Sequence, residues 1–156
     1  MHNLALDFLG LLLIISGLGL GLGASTVMDV FGVLGRESEY WTVRAISTDK
    51  VAVPLMWIGV VLATVGGIMF NRNQGLSGVV LYQAIVWVVL IANGSFFTFY
   101  IIPRVYPIEH KPEGERLIPR GLVLKILPAF AISICSWWAS VILLVWHLVM
   151  ERGIGS

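Results

Sequence analysis

The chain has 156 residues, 58 % of them hydrophobic and only 12 % charged, with a formal net charge of +1. Soluble domains carry about 25 % charged residues, so this composition excludes an ordinary water-soluble domain, and the near-neutral balance offers nothing to a nucleic-acid backbone. One cysteine, Cys135, excludes an intramolecular disulfide and every cysteine-rich metal spacing.

Four apolar runs, at 4–27, 51–70, 77–102 and 122–150, fill most of the sequence. Each reaches the ~20 apolar residues that cross a ~30 Å hydrocarbon core. The second and third contain no Asp, Glu, Lys or Arg. The pattern predicts an all-α membrane protein, a four-transmembrane-helix bundle forming a single domain over 1–156.

Run one follows Met1-His2-Asn3, which lacks the basic start of a secretory leader, and reads as a retained helix. Its Gly17-Leu18-Gly19-Leu20-Gly21-Leu22-Gly23 segment holds two small-xxx-small pairs. At about 100° per residue, Gly17 and Gly21 share one face and Gly19 and Gly23 the other. Membrane helices associate through such small residues, so helix one is expected to be approached from two sides and to be the most enclosed. Asp29, at its end, is expected to pair with Arg44, Lys50 or an arginine of the third loop.

Run two repeats the device in Ala52, Met56, Gly59, Ala63 and Gly67, with Pro54 in its first turn, where a missing N–H costs little. The short 71–75 connection predicts that helices two and three are antiparallel neighbours. In run three, Asn93-Gly94 disfavours helix and predicts a kink or a cross-helix hydrogen bond. Pro103, Pro107, Pro112 and Pro119 make 103–121 an extended surface loop. Run four places Ala129, Ser133, Ser136, Ser140 and His147 within one arc, either the bundle-facing side or the wall of a polar cavity. Pro128 bends that helix, and Cys135 reads as a small apolar packer.

Of the ten Lys and Arg residues, only Arg72 and Arg152 fall outside the first and third loops and the turn after them. The positive-inside rule then puts both long loops in the cytoplasm and both termini outside, in a multi-pass protein of the bacterial inner membrane. Tyr40, Trp41, Phe96, Phe97, Phe99, Tyr100 and Tyr106 would form the inner aromatic belt.

Intramembrane polar residues are functional candidates by default. Asp7, Gln83 and His147 come near the outer third on three helices. They either form a hydrogen-bonded cluster that relays a proton or holds a headgroup, imidazole titrating near neutrality, or simply reach interfacial water. Asp29 and Asn93 lie near the inner side. His147, Trp137, Trp138 and Gln83 are the candidate contacts for a hydrophobic cofactor such as haem, quinone or pigment. Bis-histidine haem ligation is not expected, since His147 is the one histidine inside a run and His2 the other on its side. No metal site is expected, because Glu109-His110-Lys111-Pro112-Glu113 has no spacing that selects one. No phosphate-binding glycine loop or Ser–His or Cys–His arrangement is evident, so no catalytic residue is assigned.

The stretch Gly21-Leu22-Gly23-Ala24-Ser25-Thr26 through Asp29 and Phe31, the charged 36–39 segment, 51–67, and Asn93-Gly94 followed by Pro103 resemble a group of uncharacterised bacterial four-helix membrane proteins. These are distantly similar to the copper-resistance D and membrane protoporphyrinogen-oxidase types, which carry a helix-one histidine and a helix-three lysine associated with haem or redox chemistry. Here Asp7 and Gln83 stand in comparable regions, so the resemblance implies the fold and transfers no catalytic residue. Three functions remain open: a non-catalytic subunit or scaffold of a larger membrane complex, for example an energy-converting one, in contact with other subunits or copies of itself; a hydrophobic-cofactor binder; and a small transporter or ion pathway.

Overall fold

A computed structural model describes residues 4–76 and 78–151; His2 and Arg152 lie outside them. The described chain is helical, with α1 (Leu4–Leu34), α2 (Glu39–Asn71), α3 (Gly78–His110) and α4 (Arg120–Trp146), which runs into a π turn at His147–Glu151. Each of the four is long and apolar enough to cross a membrane.

The helices outrun the apolar runs at one end of the bundle. α1 has 31 residues and α2 has 33, roughly 46–50 Å at 1.5 Å per residue, well beyond the ~30 Å core. The expected 28–50 loop shrinks to a turn at 35–38. Three local bonds explain it. The Gly35 N–H closes α1 on the Phe31 carbonyl at 2.8 Å. The Ser38 hydroxyl caps α2 by accepting from the Trp41 N–H, as capping serines do. The Thr42 hydroxyl donates to the Gly35 carbonyl across the turn.

The third segment also stays helical longer than its prolines suggested. An α-helix to Phe96 opens into a π turn at Phe97–Ile101, then an α turn at Ile102–Val105 and a 3-10 turn at Tyr106–His110. Pro103 has no N–H for the Phe99 carbonyl and its ring needs room; the widened turn supplies that room. Pro103 and Pro107 each open one of the short pieces, where proline is tolerated. Only 111–119 remains irregular.

α1 and α2 form a backbone-to-backbone hairpin through glycines. A Cβ placed on Gly17 would lie 2.5 Å from the Ala63 nitrogen, and one on Gly59 would lie 2.6 Å from the Gly21 nitrogen. α3 packs on α4, and α4 on α1. The serine arc of α4 faces inward: Ser136 and Ser140 are buried, and the Ser133 and Ser25 hydroxyls meet at 2.8 Å across α4 and α1. Trp137 is fully buried with its ring over Gly21. The Asn93 amide donates to the Ala129 carbonyl at 2.9 Å, joining α3 to α4 one residue past Pro128.

Three expectations are revised. The Gly19 and Gly23 face meets nothing within 4 Å, so α1 is approached closely from one glycine face, and α2 buries the larger share of its span. Cys135 is exposed on the outer surface. α2 and α3 are antiparallel but splayed at their shared turn. They meet farther along, where the Trp57 indole N–H donates to the Thr98 hydroxyl at 3.0 Å and Lys50 pairs with Glu109.

The outer surface is apolar: Phe8, Ile68, Val88 and Leu124 are all exposed. In water such a surface would aggregate; against lipid chains it costs nothing. This is a multi-pass membrane protein in a helical bundle. Arg72 reaches Asp7 at 2.7 Å, and the His147 ring meets Phe70 edge-on at 6.0 Å. The first and last described turns and the α2–α3 turn therefore share one end of the bundle, the termini end; the opposite one is the loop end.

Candidate functional site: a slot between splayed helices

The splay of α2 from α3 leaves a cavity of about 470 Å³ at the termini end, within the 300–1,000 Å³ typical of small-molecule sites. On α3 its wall is the stripe Val80, Gln83, Ala84, Trp87 and Ile91, spaced as one helix face. The eleven helical steps from Val80 to Ile91, at 1.5 Å each, make the slot roughly 16 Å long. Gly67 and Ile68 of α2 form the facing wall, and Ile14 of α1 and Leu144 of α4 contribute to its depth. Ile68 and Leu76 of its lining are exposed, so the slot opens sideways between α2 and α3.

Polarity is graded along the slot. Gln83, His147, Asn71, Gln74 and Arg72 gather at the end near the turn, while Trp87 and Ile91 lie towards the bundle centre. Arg72 donates to Asp7 at 2.7 Å and to the Met69 carbonyl at 2.9 Å, so its charge is offset within the wall. Asn71 donates back to the Gly67 carbonyl at 3.0 Å. His147 is 3 % exposed and held edge-on to Phe70. The site is thus an apolar trough with a hydrogen-bonding head of nearly balanced charge.

The expected residues sort as follows. Gln83 and His147 share the slot wall, and Asp7 reaches its rim through Arg72. Trp137 is packed over Gly21, edge-on to Trp87 with ring centroids 5.9 Å apart, and acts behind the wall. Trp138, one residue on and so about 100° round the helix, is 53 % exposed on the outer surface. The tryptophan that lines the slot is Trp87. Its signal was the Val80–Gln83–Trp87 spacing, which shows nothing until the splay is known.

At the loop end, Asp29 is buried at 6 % exposure. It forms no ion pair with Arg44 or Lys50 among the described residues; Lys50 is taken by Glu109. The Asp29 Oδ2 is buried without a hydrogen-bond partner among the described residues. Asp49, overlooked because it fell in an expected loop, is also buried, at 9 % exposure. Among the described residues no group of His, Cys, Asp and Glu has the arrangement to hold a metal ion. Comparison with protein-family models, curated proteins and solved structures found no match for this chain.

Proposed function

We propose that this protein binds a lipid-soluble molecule with a hydrogen-bond-accepting head, of the quinone kind, within the membrane. The observation that carries the reading is the graded slot. It is long and apolar at depth, with donors gathered at the end near the α2–α3 turn. Trp87 offers a flat wall for a ring, and Gln83 sits one helical turn away along α3, where an amide N–H would meet a ring carbonyl. The Asp7–Arg72 pair offsets the guanidinium charge, which favours a neutral acceptor over a multiply charged one. Binding is the activity proposed.

The test is solvent extraction of protein purified in mild detergent. The wild type should release a stoichiometric lipid-soluble compound. Gly67→Leu should release far less, because Gly67 lines the slot and meets nothing within 4 Å, so the new side chain fills the slot without disturbing the bundle. An extract from the wild type that contains only bulk lipid would sink the reading.

A second reading rests on a different face. Gly19 and Gly23 form a small-xxx-small pair that meets nothing within 4 Å in this chain, the surface by which another transmembrane helix approaches closely. It favours a subunit role in a larger bacterial inner-membrane complex, the loop end lying in the cytoplasm. Partners that co-purify stoichiometrically and are lost in Gly19→Ile would support it; a monodisperse single species would count against it.

A further inference from the structure

At the loop end, α3 and α4 bring two cations onto one tyrosine. Tyr100 lies in the π turn of α3. Phe96, about one turn earlier, stacks on its ring with centroids 5.0 Å apart. Arg104, about one turn later, holds its guanidinium carbon 3.7 Å from the ring centroid and donates to the Tyr100 carbonyl at 2.6 Å. From α4, the Lys125 ammonium donates to the Tyr100 hydroxyl at 2.6 Å and lies 4.9 Å from the same centroid. An aromatic ring attracts cations, so Tyr100 gathers both, but it has no net charge with which to cancel theirs.

The carboxylates near this end are engaged elsewhere. Glu109 pairs with Lys50, and Glu39 accepts from the Gly114 and Arg116 N–H groups. Among the described residues neither Arg104 nor Lys125 has a carboxylate partner. An ammonium can only donate, so the Tyr100 oxygen accepts from Lys125 and its own hydrogen remains to be given. Two cations and a hydroxyl hydrogen, from two helices, thus share one place that calls for an anion.

Depth decides which anion fits. Twenty-two helical steps from Gly78 carry Tyr100 roughly 33 Å along α3, to the far edge of a ~30 Å hydrocarbon core, the level of lipid headgroups. Phe99 and Leu124, the sequence neighbours of Tyr100 and Lys125, are 77 % and 73 % exposed, apolar surface for the chains of the same lipid. We infer that Tyr100, Arg104 and Lys125 bind the phosphate of an anionic phospholipid. A phosphodiester accepts charge-assisted hydrogen bonds from guanidinium and ammonium, and basic pockets between transmembrane helices hold such headgroups. Phosphatidylglycerol brings one net negative charge to the pair; phosphatidylcholine brings its own cation and leaves the pair uncompensated. The site lies at the opposite end from the slot, and this inference stands whether or not the slot binds a quinone.

Native mass spectrometry of the protein in mild detergent, with equal amounts of phosphatidylglycerol and phosphatidylcholine added, tests it. The wild type should retain one phosphatidylglycerol per chain in preference to phosphatidylcholine. Arg104→Gln and Lys125→Gln should each lower that retention about tenfold, the loss of one hydrogen bond from a charged group. Tyr100→Phe, which keeps the ring and loses only the hydroxyl, should lower it less. Arg44→Gln removes another exposed cation of this end, held over Tyr40, and should retain the lipid as the wild type does. An equal loss in the Arg44 variant overturns the proposal, since the attraction would then be diffuse. Two outcomes on the wild type decide it without any variant. Equal retention of the two lipids overturns it, and so does displacement of phosphatidylglycerol by millimolar inorganic phosphate, which would mark a site for a soluble anion.

Discussion

At the scale of single residues, the glycines of α1 and α2 divide into those that make the hairpin and those that do not. Gly59 lies against the Gly21 backbone, and its missing Cβ is what lets the two chains touch. Backbone cannot yield as a flexible side chain can, so Gly59→Ala should destabilise the bundle by about 1–3 kcal/mol, the usual cost of overpacking, seen as earlier thermal unfolding in detergent. Gly19→Ala, on a face that meets nothing within 4 Å, should unfold with the wild type; an equal loss in both variants would contradict the hairpin. Trp137 gives a second residue-scale prediction. It is fully buried between Gly21 and Trp87, so Trp137→Ala should cost about 3–5 kcal/mol, whereas Trp138→Ala on the exposed surface should cost far less in the same assay.

At the scale of elements, the first turn of α2 is capped by the Ser38 hydroxyl. Ser38→Ala removes the acceptor for the Trp41 N–H and should lower stability by about 1 kcal/mol, with exposed Ser47→Ala as the neutral comparison. The four spans were legible in the sequence because lipid demands unbroken apolar length, and the Asn93 bond to α4 was legible because a buried amide must find a partner. The helical extension from Glu39 to Lys50 was not. Charged residues at that density read as a solvated loop, and the capping serine signals a helix start only to a reader already expecting one. The prolines of α3 misled for the opposite reason: each sits where a missing N–H is harmless, after a π turn or at the opening of a short piece.

At the scale of the whole molecule, the shared location of Asp7, Arg72 and His147 puts the first and last described turns and the α2–α3 turn at one end of the bundle. Gln74→Cys and Glu113→Cys should therefore react with an impermeant maleimide from opposite faces of sealed vesicles. Labelling of both from the same face would refute the four-span arrangement. The candidate site was half legible at this level. Gln83 and His147 were singled out for being polar at similar depth, but the splay that joins them to Trp87 depends on how four backbones lean, which no single run encodes. The side-facing mouth of the slot carries a consequence for any affinity measured on it. A lipid-soluble occupant of the kind proposed would arrive from the hydrocarbon phase, so its occupancy would follow mole fraction in the bilayer instead of molarity in the buffer. Doubling the lipid at fixed total compound should halve the apparent saturation at low loading, and titrations become comparable only when expressed per lipid.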